Sequence, residues 1–190
     1  MDLFDNISEP EDRPGVEYAW IRRLGSQVVF MKLPRGATCY GGRNKYGLLA
    51  RNVSFLQSAS VFCAASPATE AFLQYDVQEL TRDWNPSWMQ YKFIGIGEGA
   101  LWGLTHLYHE MPFRKMLLIN MPLTHELGKT VELLSGVDRN KLCFVYGDAD
   151  PSYRYTPLLR RLYAEVITVK GADHSFRGMT GKFADLGRYL

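Results

Sequence analysis

Apolar positions along this chain switch between two periods. "VEYAWIRR" (16–23) and "QVVFMKLP" (27–34) are β-rich runs separated by Leu24, Gly25 and Ser26, which predicts a hairpin. From there strand-like and helix-like segments take turns. "YGLLARNVSFLQS" has helical spacing, "SVFCAAS" is a short apolar strand, and "ATEAFLQYDVQELTRDW" is an amphipathic helix broken at Asn85 and Pro86. "YKFIGI" reads as a strand, and "EGALWGLTHLYHEM" as a helix stopped before Pro112. "KMLLINM" is a strand, and "LTHELGKTVELLSG" a helix closing on Gly136. "KLCFVYG", "TPLLRRLYA", "EVITVKG" and "GKFADLGRYL" complete the series as strand, helix, strand and a shorter helix.

Buried parallel strands read as continuous apolar runs, and strands alternating with helices imply right-handed crossovers. The expected fold is therefore α/β, a three-layer sandwich with a mainly parallel sheet. Its strands are expected near residues 28–33, 60–64, 91–96, 115–120, 141–146 and 165–170. Residues 1–15 read as a flexible lead-in ended by Pro14 and Gly15, and residues 16–190 as one domain. A chain of 190 residues suits that count.

Composition narrows the function classes. With 46% hydrophobic and 22% charged residues, the chain is of ordinary globular character. A net charge of +2 without a dense Lys/Arg stripe gives no nucleic-acid footprint. No apolar stretch approaches the ~18 residues of a membrane span. The acidic, polar start "MDLFDNISEPEDRPG" does not read as a signal peptide. Cys39, Cys63 and Cys143 are odd in number and lack CxxC spacing, which argues against a disulfide framework or a cysteine metal site. A reducing, cytoplasmic location is the expectation.

In an open parallel sheet, ligands sit beyond the carboxyl ends of the strands. Those loops read "LPRGATCYGG", "AASPAT", "GIGEGA", "NMPLTH", "YGDADPSY" and "KGADHSFRG". The third carries three alternating glycines, Gly95, Gly97 and Gly99, between a strand and a helix. The fifth places Asp148 and Asp150 at its tip, and the sixth places His174. In chain order the three loops resemble those of the α/β-hydrolase superfamily, whose catalytic groups run nucleophile, acid, histidine. "GIGEGA" stands where the G-x-S-x-G nucleophile elbow belongs, "GDADP" resembles the acid loop, and "GADHSF" resembles the terminal histidine loop. The resemblance covers roughly residues 27–190. It implies Asp150 as the acid, His174 as the base, and the backbone at Glu98 as an oxyanion donor.

The departures shape what is expected. The nucleophile position is Gly97, which has no hydroxyl, and "MKLPRG" replaces the usual His-Gly oxyanion loop. The short connection after "KMLLINM" leaves no room for a large lid. The chain thus reads as a non-catalytic member that binds a small-molecule ligand or a protein partner, without a cofactor. The alternative is a hydrolase of a small ester, thioester or amide. That enzyme would use activated water or a substitute nucleophile, with Cys63, Ser66, Ser175 and, as a longer shot, Cys39 as candidates.

Three further patterns have blander readings. Gly95, Gly97 and Ala100 satisfy the dinucleotide fingerprint G-x-G-x-x-A, but that motif should open the first βαβ unit, with an acid closing the next strand. Here the residue there is Asn120, and Glu98 at the turn would repel a phosphate. His106, His109 and Glu110 lack the H-E-x-x-H metal spacing. Trp84, Trp88 and Tyr91 around Pro86 read as the seal of a helix-to-strand connection.

Overall fold

A computed structural model describes residues 2–11, 14–66, 89–123, 127–162 and 165–190. The expected helix at 68–84, Trp84 and Trp88 lie outside the described residues. The strands are β1 (Asn6–Ser8), β2 (Glu17–Ile21), β3 (Gln27–Lys32), β4 (Ser60–Ala65), β5 (Gln90–Ile96), β6 (Phe113–Ile119), β7 (Leu142–Gly147) and β8 (Glu165–Val169). The helices are α1 (Lys45–Gln57), α2 (Glu98–Trp102), α3 (Leu127–Ser135), α4 (Thr156–Arg161) and α5 (Thr180–Ala184). All six expected parallel strands are present within two residues of their predicted bounds.

The eight strands form one sheet in the order β1-β2-β4-β3-β5-β6-β7-β8. From β4 to β8 every pairing is parallel. The apolar runs of β3–β7 explain this, because both faces of these strands are largely buried, while β8 forms the partly exposed edge. On one face Phe30, Phe93, Leu118 and Phe144 pack with Trp102 and Leu104 after β5, Leu134 of α3 and Leu159 of α4. On the other, Met31, Ile94, Leu117 and Val145 pack with Leu49 and Val53 of α1 and Phe183 of α5. Tyr91, expected near a helix-to-strand seam, is buried in the first layer, its ring centroid 5.9 Å from that of Phe30.

Three expectations need correction. The predicted hairpin does not form: β2 pairs antiparallel with β1 and β4, so β4 stands between β2 and β3. β4, buried along its whole length, inserts between the two runs and pairs with β2 on one side and β3 on the other. Second, part of the expected flexible lead-in is a strand. Asn6–Ser8 pairs with Tyr18–Trp20, Phe4 is buried, and Asp5 accepts a 2.7 Å hydrogen bond from the Arg22 N–H. Third, "EGALWGLTHLYHEM" is no uniform helix: α2 widens to a π-helical turn over Gly103–Leu107 and ends there. Among the described residues no helix is long and apolar enough to cross a membrane.

Candidate active site

β5 lies at the middle of the sheet, with β1–β4 on one side and β6–β8 on the other. Its exit turn is Gly97, with φ 56° and ψ −126°, a backbone conformation that L side chains rarely adopt. The Gly97 N–H donates to the Ile119 carbonyl (2.8 Å), and its own carbonyl accepts from the Ala100 N–H (3.0 Å). The three alternating glycines serve three different needs. A Cβ on Gly95 would overlap the Cα of Ala100, so Gly95 lets α2 lie against its own strand. A Cβ on Gly99 would come 2.6 Å from the Lys32 carbonyl, so Gly99 admits β3. A Cβ on Gly97 meets only ordinary contacts, Pro34 at 3.6 Å and the His174 Nε2 at 3.9 Å. A Cβ at Gly97 is thus accommodated between Pro34 and the imidazole of His174.

That imidazole is placed by two loops that interlock. The acid loop follows β7 and the histidine loop follows β8. Gly171 N–H donates to Asp148 Oδ1 (2.6 Å), and Ala149 N–H donates to the Ala172 carbonyl (3.0 Å). A Cβ on Gly147 would overlap the Ala172 carbonyl oxygen, so glycine is needed where the loops meet. Asp150 is buried, and its two oxygens are both engaged. Oδ1 accepts from the Ser152 N–H at 2.7 Å, and Oδ2 lies 2.6 Å from His174 Nδ1. Since both Asp150 oxygens act as acceptors, Nδ1 carries a proton, and Nε2 is the ring atom that faces Gly97. Of the two aspartates in "GDADP", Asp150 meets the histidine and Asp148 braces the loop.

Hydrogen bonding to Asp150 raises the His174 pKa above its ordinary 6.5; burial opposes the shift, and the charges of Asp150 and Asp173 reinforce it. A raised folded-state value favours the protonated ring in the native protein. The associated stability is complete below 6.5 and is lost as pH rises through the folded value. The melting-temperature advantage of the native protein over His174→Gln should therefore shrink on going from mildly acidic to mildly alkaline buffer. A difference that grows with pH would contradict the shift. With 55% of the His174 side chain exposed, the effect should be small.

The remaining candidates fall elsewhere. Glu98 is exposed in the first turn of α2. Cys63 is fully buried on the sheet face under α1, and its carbonyl accepts a hydrogen bond from Cys39 Sγ at 3.7 Å. Ser66 is buried and accepts from Lys32 Nζ at 3.0 Å. Ser175 follows His174 in the chain; its N–H donates to Asp173 and its carbonyl accepts from Lys45 Nζ. Among the described residues, no hydroxyl or thiol is hydrogen-bonded to the His174 ring. His106 stacks on Trp102 and His109 packs edge-on to Tyr108. Asn120, where a dinucleotide site would want an acid, spends its side chain on the protein itself. Sequence reasoning did not assign Asn120, Ser152 or Lys32 a role. The available signal was a polar residue closing, or just following, an apolar strand.

No family model matches the sequence, and no curated protein does either. Solved structures do. The fold matches an alpha-beta serine hydrolase homologue from Coxiella burnetii over 100% of this chain and 99% of that one, with a TM-score of 0.73 and 17% identity. The esterase domain of a Rhodothermus marinus protein matches over 92% and 89%, at 0.68 and 14%. A serine hydrolase without a lid from Xanthomonas campestris matches over 94% and 89%, at 0.63 and 15%. The chain has the α/β-hydrolase fold.

Proposed function

We propose that this protein is a binding member of the α/β-hydrolase fold rather than a serine hydrolase. Its Asp150–His174 pair serves as a fixed hydrogen-bonding post over the turn at Gly97. The observation that carries the reading is the turn itself: at Gly97 a side chain would face His174 Nε2, and none is there. An acyl-transfer triad needs a hydroxyl at that point for the base to activate. The oxyanion loop supports the same reading. Three of the four residues Leu33–Gly36 offer no donor: Leu33 spends its N–H on the Ala64 carbonyl (3.1 Å), Pro34 has none, and Gly36 donates to the Ser66 carbonyl (3.4 Å). The ligand that suits the post is a small molecule with a hydroxyl, which can hydrogen-bond to Nε2 while its oxygen meets the Glu98 N–H.

The second reading, a hydrolase that uses water, has one observation in its favour: the pair retains a 2.6 Å hydrogen bond and a ring nitrogen that faces the Gly97 turn. One assay separates the two. Wild type and His174→Ala are compared on a short-chain activated ester. Equal rates are expected. A wild-type rate about a hundredfold above that of His174→Ala, the scale of general base catalysis, would establish the hydrolase.

A further inference from the structure

We propose that Asn120 is the positioning residue that holds the histidine loop at its working distance from the Gly97 turn. Asn120 directly follows β6, the strand next to β5, and is 1% exposed. Its Nδ2 donates to the His174 carbonyl at 2.7 Å and to the Asp173 carbonyl at 3.3 Å. Its Oδ1 accepts from the Gly147 N–H at 3.1 Å, on the acid loop, and its own N–H donates to the Val145 carbonyl at 2.8 Å. One residue earlier, the Ile119 carbonyl takes the Gly97 N–H. Residues 119 and 120 therefore tie the turn, the acid loop and the histidine loop to one point of β6.

The chemistry of that point selects an amide. Two donors face two carbonyls and one acceptor faces an N–H, which neither Asp nor Leu reproduces. The backbone is held at φ +46°, a left-handed value that Asn and Gly accept and branched or bulky residues resist. Asp150 fixes the ring of His174, but a ring held at one nitrogen can still swing with its backbone. Asn120 fixes the backbone carbonyl of the same residue. With both ends held, Nε2 keeps its place over Gly97.

This inference rests on the reading of Asp150–His174 as the working pair, and the test separates the two. The His174 imidazole is titrated by NMR in wild type, Asn120→Gly, Asn120→Asp, Asp150→Asn and Leu118→Val. Asn120→Gly keeps the left-handed backbone without strain and removes only the amide. Asn120→Asp keeps the size and turns two donors into acceptors. Leu118, buried on the same strand, reports what a mere packing defect does. In both Asn120 variants the His174 pKa should fall toward its ordinary value, as in Asp150→Asn, while Leu118→Val leaves it unmoved. In a Gly97→Ser background, Asn120→Gly should lower kcat on an activated ester by about tenfold or more with KM little changed, the scale of a displaced catalytic group.

An Asn120→Gly protein that titrates like wild type overturns the proposal, as does an equal fall in Leu118→Val. An Asp150→Asn protein with unchanged His174 titration overturns the underlying reading of the pair instead, and this inference with it.

Discussion

Gly97→Ser is expected to show esterase activity on a small activated ester about tenfold to a hundredfold above wild type, below the full range of general base catalysis. His174→Ala in the same chain should remove the gain. The argument is spatial. The added Cβ would lie 3.9 Å from His174 Nε2 and 3.6 Å from Pro34, ordinary contacts, and a hydroxyl one bond further on can be turned to within hydrogen-bond reach of the base. What it costs is conformational. A serine must adopt φ 56° and ψ −126°, a strain of about 1 kcal/mol or more. The gain stays modest because only one oxyanion donor, the Glu98 N–H, is well placed by the turn, and losing a donor costs about 100-fold or more in rate. A folded Gly97→Ser protein without activity would show that the site has diverged beyond its nucleophile. A wild type already active, and silenced by Cys63→Ala, Ser66→Ala or Ser175→Ala, would reverse the functional reading.

Gly95→Ala should be the most damaging of the single-methyl additions in the same triplet. The new methyl would overlap the Ala100 Cα and lie 2.7 Å from the Ala100 nitrogen, both backbone atoms that cannot rotate away. Relief requires α2 to move off β5 at the centre of the sheet, a cost of about 3 kcal/mol, at the upper end for overpacked cores. Gly97→Ala meets no such obstacle and should cost only its strain, about 1–2 kcal/mol. Urea unfolding of the two variants measures the difference. Equal losses would mean that close approach is not what fixes Gly95, and that the triplet answers to one cause.

The contrast explains what the sequence could and could not say. Alternation of apolar runs was enough to locate the parallel strands, because strands buried on both faces write a continuous signal. The order of loops at their carboxyl ends was enough to pair Asp150 with His174, which the structure places 2.6 Å apart. The strand pairing of β2 was misread, since two β-rich runs with a glycine between them look like a hairpin whether or not a third strand enters from elsewhere. Asn120 was invisible for a different reason. Its partners are main-chain groups of residues 147, 173 and 174, and main-chain geometry leaves no letter in the sequence. The three glycines were legible as a turn, yet their separate causes, two of close approach and one of φ, required coordinates.

The short first strand has a bearing on handling the protein. β2 pairs with β4 along one side, and along the other, among the described residues, only Asn6–Ser8 pairs with it. An unpaired strand edge is a template on which a second copy can hydrogen-bond, and proteins commonly guard such edges with a very short strand and charge. Residues 6–8, anchored by Phe4 beneath and by Asp5 on the Arg22 N–H, act as that guard. Trimming them to obtain a tidier fragment would bare Tyr18, Ala19 and Trp20 as an open edge, exchanging a few residues for a tendency to self-associate.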